Sequence, residues 1–291
     1  MEPVIDMQHV TKKINGFSID HLNLQVEKGM VTGFIGENGA GKSTTIKLIM
    51  NLLKPDQGDV KIFGLDYRTH EKEIKERIGF VYDSNVFFEG MNLKDIKRVI
   101  APAYRQWDDA LFKDYVDRFE LPLNQSIKSF SKGMQMKASI ALALSHHAEL
   151  IIMDEPTAGL DPIFRRELLD LLQTLMIDRN QTIFFSTHIT TDLDRIADYI
   201  AFIQNGKLLF NQSTEEIADE YAIVKGGSDL LDRDTEQFFI SVKQSNSGFT
   251  ALTNQQKEVE RVFENTVLIE RATLEDIMFY SKGGKPYVKS Y

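Results

Sequence analysis

A chain of 291 residues, 42% hydrophobic and 26% charged, has the proportions of a globular protein and room for one large domain plus a small one, which excludes fibrous and disordered classes. The absence of cysteine excludes a disulfide framework and suits a reducing compartment. A formal charge of −9 argues against broad nucleic-acid binding, which needs a basic face. In chain order, Met1-Glu2-Pro3-Val4 enters a strand without a basic segment and apolar run, and no stretch approaches the ~20 apolar residues that span a bilayer. A cytoplasmic chain is expected, with any membrane contact made through a partner.

From Val4 to Val26 apolar and polar residues alternate in places, as at Leu22, Leu24 and Val26, predicting antiparallel strands that form a small β subdomain with Gly58 to Leu65. Met30 to Ile35 reads as a strand, and a helix-like segment follows from Ser43 to Leu53. Between them Gly36-Glu37-Asn38-Gly39-Ala40-Gly41-Lys42-Ser43 matches the phosphate-loop pattern in the strand, loop, helix context that the motif requires. Gly36, Gly39 and Gly41 let backbone N–H groups converge on a phosphate, and the helix start adds its partial positive end. Gly36, Asn38, Gly39, Ala40, Gly41, Lys42, Ser43 and Thr44 are therefore the predicted nucleotide contacts, with Lys42 reaching the β- and γ-phosphates and Ser43 ligating Mg²⁺.

Arg77 to Tyr82 reads as a strand ending at Asp83. Helical periodicity and charge dominate from Ser84 to Leu123 (Leu93, Ile96, Val99, Ile100; Leu111, Tyr115, Val116, Phe119), predicting an inserted helical subdomain over about 84–145 with an apolar entrance at Asn85 to Met91. Leu150-Ile151-Ile152-Met153-Asp154-Glu155 is an apolar strand delivering two acids at its C-terminal end. Asp154 would hold Mg²⁺ through water, and Glu155 would polarise the water attacking the γ-phosphate. Pro156 to Asp161 follows at once, and Thr187-His188 closes the apolar strand Thr182 to Ser186. After Asn211 the motifs run out. Ser213 with Glu216 reads as a helix start, Phe238 to Val242 and Val267 to Glu270 as strands, and Thr253 to Phe263 and Thr273 to Tyr280 as helices.

The order of these elements, from about Val4 to Asn211, resembles the ATP-binding cassette (ABC) family. Phe130-Ser131-Lys132-Gly133-Met134 stands where that family has its signature, and His188 where it has its switch histidine. The resemblance implies an α/β P-loop cassette over 1–212, with a mixed-sheet core, antiparallel β subdomain and inserted helical subdomain, plus a small α+β appendage over 213–291. It implies ATP and Mg²⁺ as cofactors, and two cassettes facing head to tail so that Ser131, Gly133 and Asp161 reach across to the other chain's nucleotide. It implies a transmembrane permease subunit as partner and a peripheral place at the inner face of the cell membrane.

Some residues depart from the family pattern. Lys132 replaces a glycine and Met134 a glutamine. Asp83 replaces a glutamine that senses Mg²⁺ and the attacking water, which makes it a candidate for both catalysis and metal binding. The adenine-stacking aromatic expected near Lys13 to Ile14 is missing, and Phe17 is the nearest substitute. The overall pattern looks most like bacterial ABC-2-type exporter ATPases, including those that expel peptides or amphipathic antimicrobial compounds. The alternative, a soluble ABC ATPase acting on ribosomes or DNA, would normally carry two cassettes or long coiled-coil insertions.

Overall fold

The computed structural model describes residues 2–14, 16–83, 87, 90–177 and 181–282. The chain divides into two compact units, Met1–Asn211 and Gln212–Tyr291. In the first, β1 (Ile5–Ile14), β2 (Phe17–Val26), β4 (Gln57–Ile62) and β5 (Leu65–Asp66) form an antiparallel sheet in the order β2-β1-β4-β5. Inward residues such as Ile5, Met7, Ile19, Leu22 and Leu24 are fully buried, as expected of a sheet with one covered face.

A second sheet of six strands carries the site. Its order is β10-β9-β3-β8-β7-β6, with β3 (Val31–Ile35), β6 (Ile78–Val81), β7 (Leu150–Asp154), β8 (Thr182–Thr187), β9 (Tyr199–Gln204) and β10 (Lys207–Ser213). β3, β7 and β8 are buried at every position and run parallel, as do β6 and β9 beside them. Both faces are covered, which accounts for their continuous apolar runs. Ile46, Ile49, Ile152, Phe34 and Phe184 join residues of the antiparallel sheet in one core.

β9 and β10 are linked by Asn205-Gly206, both at positive φ (49° and 77°), the type I′ turn favoured by right-handed strand twist. Gly206 also joins two neighbours: its N–H donates to Ala40 O (2.9 Å), and its carbonyl accepts from Asp20 N (2.9 Å). A Cβ on Gly206 would lie 1.8 Å from Ser18 O.

The helices are α1 (Lys42–Ile49), α2 (Tyr67–Glu76), α3 (Leu93–Ile100), α4 (Asp109–Arg118), α5 (Lys132–Leu144), α6 (Pro162–Leu175) and α7 (Thr190–Ile196). Asn92 caps α3 through Asp95 N (2.9 Å), and Asp108 caps α4 through Ala110 N and Leu111 N. α1 ends at Ile49 rather than Leu53. Asn51, at φ 55°, leaves the helix in the left-handed region. Of the apolar entrance predicted at Asn85 to Met91, residues 85, 86, 88 and 89 lie outside the described residues.

In the second unit α8 (Thr214–Glu220) opens on the capping box expected of Ser213 and Glu216. The sheet order is β12-β13-β11-β14, with β11 (Ala222–Gly226), β12 (Ser241–Ser245), β13 (Gly248–Thr253) and β14 (Leu268–Arg271). The strand expected at Phe238 begins only at Ser241. Asp232 and Thr235 form a capping box on α9 (Arg233–Glu236), and Phe238 and Phe239 turn inward after it against Phe249 and Phe263. Thr253 ends β13, so α10 (Gln256–Phe263) starts later than expected. α11 (Leu274–Lys282) completes the unit.

Candidate functional site

Four parallel strands end at one edge of the sheet, and each delivers a predicted site residue just beyond its C-terminus. The phosphate loop follows β3, Asp83 follows β6, Asp154 and Glu155 close β7, and His188 follows β8. This is the crevice where open α/β sheets bind ligands. Gly39 and Gly41 hold φ values of 82° and 117°, conformations that strain any side chain. A Cβ on Gly41 would lie 2.7 Å from Ile19 Cδ1 and 3.0 Å from Phe17 Cζ, and one on Gly36 would lie 2.5 Å from Ile203 O. At Gly39 nothing stands within 4 Å, because this glycine faces open cavity. α1 then starts at Lys42 with no side chain capping its first amides, leaving N–H groups and the dipole end for an anion.

The acids are held from β8. Ser186 Oγ donates to Asp154 Oδ1 (2.6 Å) and accepts from Glu155 N (3.0 Å), whose N–H also reaches Ser186 O (3.1 Å). Glu155 sits at φ 49°, a left-handed backbone uncommon for a residue other than glycine and fixed by that pair of bonds. Its carboxylate is shared: Oε2 lies 2.7 Å from His188 Nδ1 and Oε1 lies 3.1 Å from Lys42 Nζ. Lys42 is 6% exposed and also donates to Gly36 O (2.7 Å) and Glu37 O (3.2 Å).

These groups line a cavity of about 630 Å³ together with Phe17, Asn38, Gly39, Gly41, Ser43, Thr44 and Asp83. Phe17 and Ile14, opposed across the β1–β2 hairpin, form its apolar wall. Gly36, Ala40 and Asp154 stand behind the lining: Ala40 N bonds Glu37 O (3.1 Å), and Asp154 is 8% exposed. Ser131, Gly133 and Asp161 are not in this cavity. Ser131 caps α5 through Met134 N (3.2 Å), and Asp161 caps α6 through Ile163 N and Phe164 N (3.1 and 3.0 Å). Lys132 does line the cavity, a position its place in the signature did not suggest.

Among known proteins, the family model described as ABC transporter matches residues 19–158. A relative in Bacillus licheniformis, the bacitracin transport ATP-binding protein BcrA, is 36% identical over 72% of this chain and 69% of its own length. The chain belongs to the ABC transporter family. The ABC transporter ATP-binding protein NatA of Bacillus subtilis is 32% identical over 69% of this chain and 83% of its own. A solved ATP-binding subunit of an ABC transporter superposes with a TM-score of 0.68 at 27% identity, covering 74% of this chain and 92% of that one.

This ABC cassette contains a further network that the sequence reading missed. Asp192, fully buried on α7, accepts from Thr157 Oγ1 (2.6 Å) and from Arg165 Nε (2.6 Å), while Arg165 Nη2 donates to Thr191 Oγ1 (2.8 Å). It ties the loop after Glu155 to α6 and to the helix after His188. For a divalent ion the donor set is oxygen only: the Ser43 hydroxyl at the cavity and the Asp154 carboxylate oriented by Ser186. Among the described residues no group of three His, Cys, Asp or Glu side chains could hold a metal. Two protein oxygens completed by phosphate and water suit Mg²⁺, which is seldom caged by protein alone.

Proposed function

We propose that this ABC cassette is the ATP-hydrolysing motor subunit of a membrane exporter, working as a head-to-tail pair of cassettes bound to separate transmembrane subunits at the inner face of the membrane. Its cargo on this reading is a peptide or an amphipathic antimicrobial compound, a choice supported by relatives named for bacitracin transport. The observation that carries the reading is Glu155, held between His188 and Lys42 at the mouth of the phosphate loop. A carboxylate in that place can take a proton from water while the lysine holds phosphate oxygens. His188 orients Glu155. The loop amides and Lys42 fix the phosphates, and Phe17 supplies an apolar face for the base. Bound Mg²⁺, held through Ser43 and Asp154, would neutralise phosphate charge. Ser131, Gly133 and Asp161 lie outside this chain's cavity and at helix starts, which supports a role for them on a second cassette's nucleotide. Among the described residues no helix is long and apolar enough to cross a membrane, so passage of cargo is assigned to the partner.

Glu155→Gln tests this reading. The variant keeps every phosphate contact and lacks the base, so it should bind ATP, barely hydrolyse it and elute as a dimer with ATP and Mg²⁺ on size-exclusion chromatography. A variant that stays monomeric under saturating ATP would count against the facing pair.

A further inference from the structure

The carboxylate of Asp192 is fully buried and accepts from two elements other than its own: Thr157 Oγ1 on the loop after Glu155 and Arg165 Nε on α6, each at 2.6 Å. Burying a charge is costly, and a well-packed apolar side chain would often serve stability as well. Packing already seats α7 on the sheet. Leu193, also fully buried, fills the place where a Cβ on Gly33 of β3 would lie, 2.2 Å from Leu193 Cδ2. The carboxylate therefore meets a need other than seating α7.

Each of the three joined segments starts at a residue assigned to the site. Only Pro156 separates Glu155 from Thr157, and only Ile189 to Thr191 separate His188 from Asp192. Backbone bonds keep these links short: Ala158 N donates to Glu155 O (3.1 Å), Asp192 N to Ile189 O (3.2 Å) and Arg165 N to Asp161 O (2.9 Å). The Glu155 backbone is fixed by Ser186, whereas the His188 ring, 44% exposed, takes its place from where α7 begins. Thr157, Arg165 and Asp192 do not line the cavity. A change at them leaves the groups that face the phosphates as they are.

We infer that Asp192 is a positioning residue for hydrolysis: by binding Thr157 and Arg165 together it holds α7, and with it the His188 ring, against the Glu155 carboxylate. The inference rests on reading Glu155 as the base. It adds that the alignment of His188 on Glu155 is set by a carboxylate outside the cavity, and that the same carboxylate ties this alignment to the helix capped by Asp161.

The test uses the full chain with Thr157→Val, which keeps the shape of the side chain and removes its hydroxyl, Thr157→Ser, which restores the hydroxyl, and Asp192→Ala. Thr157→Val should lower kcat about tenfold while ATP affinity, measured by calorimetry, stays within about twofold of wild type, because a small misplacement of reacting groups reduces rate without removing phosphate contacts. Thr157→Ser should recover most of the rate. Thr157→Val added to Asp192→Ala should lower kcat by less than about a further twofold, since Thr157 acts through the carboxylate. Histidine-selective NMR reads the geometry without turnover. The resonance missing from His188→Ala belongs to His188, Glu155→Ala gives its displacement when the carboxylate is gone, and Thr157→Val should move it part of that way. An unchanged kcat in folded Thr157→Val overturns the inference. So do ATP affinity falling in step with kcat, a Thr157→Ser as slow as Thr157→Val, independent losses in the double variant, or a His188 resonance that stays in place. Trp107 fluorescence verifies folding, and if neither Thr157→Val nor Asp192→Ala folds, the contacts are a folding requirement and the inference falls. Glu155→Gln separates the two levels: if it hydrolyses ATP like wild type, the reading of the base fails and takes the inference with it, whereas if it is inactive and Thr157→Val is unimpaired, only the inference fails.

Discussion

Lys42 Nζ lies 3.1 Å from Glu155 Oε1, and both side chains are largely withdrawn from water. The phosphate loop and the acid of β7 thus neutralise one another across the cavity. Separating unit charges from that distance costs roughly 5 kcal/mol at an effective dielectric of about 20, which an entering triphosphate offsets with its own negative charge. If this cavity holds the nucleotide as proposed, its binding and the release of Glu155 from Lys42 are one exchange at one ammonium.

That exchange distinguishes two inactive variants. Lys42→Ala should lose nucleotide binding, whereas Ser131→Arg should bind ATP and fail to turn over, because Ser131 caps α5 outside the cavity. Mixing them should restore ATPase activity above the sum of each alone. Heterodimers that form without such recovery would contradict a site shared between chains.

Ser186 grips both acids at once. Ser186→Ala frees the Asp154 carboxylate and removes a bond from the strained Glu155 backbone. We expect several-fold more Mg²⁺ to be needed for half-maximal ATPase activity, with ATP affinity changed by less than a factor of about three, since outer partners of metal-binding groups tune the metal more than the phosphate contacts. Mg²⁺ titrations of both forms that superimpose would remove Ser186 from this role.

Arg165 and Arg195 contrast a buried and an exposed ion pair. Asp192 is fully buried against Arg165, so Arg165→Met should cost about 3–5 kcal/mol by leaving an uncompensated charge. Arg195 pairs with Asp170 near the surface, and Arg195→Ala should cost less than about 1 kcal/mol. The single tryptophan, Trp107, lies in the first unit and reports its unfolding in urea. Equal losses would refute the distinction.

His146 supplies a pH dependence. Its ring is 2% exposed, stacks on Tyr104 at 3.8 Å and places Nε2 3.0 Å from Ile78 O, so the imidazole donates while neutral. Burial pushes its pKa below the usual histidine value. The folded state thus binds its proton later than the unfolded chain on acidification. The stability this gives is complete above about pH 6.5 and falls as pH drops below it, by at most about 1.4 kcal/mol per pH unit. Glu149, held low by Arg77, loses its contribution only in the more acidic carboxylate range. Urea midpoints at pH 7.5 and 5.5 should therefore differ more in wild type than in His146→Phe.

The phosphate loop, the acids of β7 and His188 were legible because their chemistry fixes residue types at short spacing after a strand. Partners that meet only across the sheet or between helices were not. Nothing in the local sequence joins Ser186 to Asp154, or Thr157 and Arg165 to Asp192; neighbouring parallel strands and packed helices bring them together. Lys132 was read as a substitution in a motif facing outward, and its reach toward Gly159 depends on how α5 is aimed. β11 and β13 were missed because their short mixed segments carry little alternation, whereas Phe238 to Val242 looked strand-like throughout, although only Ser241 and Val242 enter β12 and Phe238 and Phe239 fill the core from the turn before it.

Gly206 gives the cavity a fixed dimension. Through its own N–H and carbonyl it is stitched to Ala40 in the phosphate loop and to Asp20 in the strand that begins at Phe17, with no room for a methyl group against Ser18. The apolar wall at Phe17 and the phosphate loop therefore share a common fastening, and a displacement of one is passed to the other. Selectivity for the base and grip on the phosphates cannot be tuned independently by changes in this hairpin. Any widening that lets product leave must come from the far rim, where Glu155, His188 and Asp83 hang from strand ends.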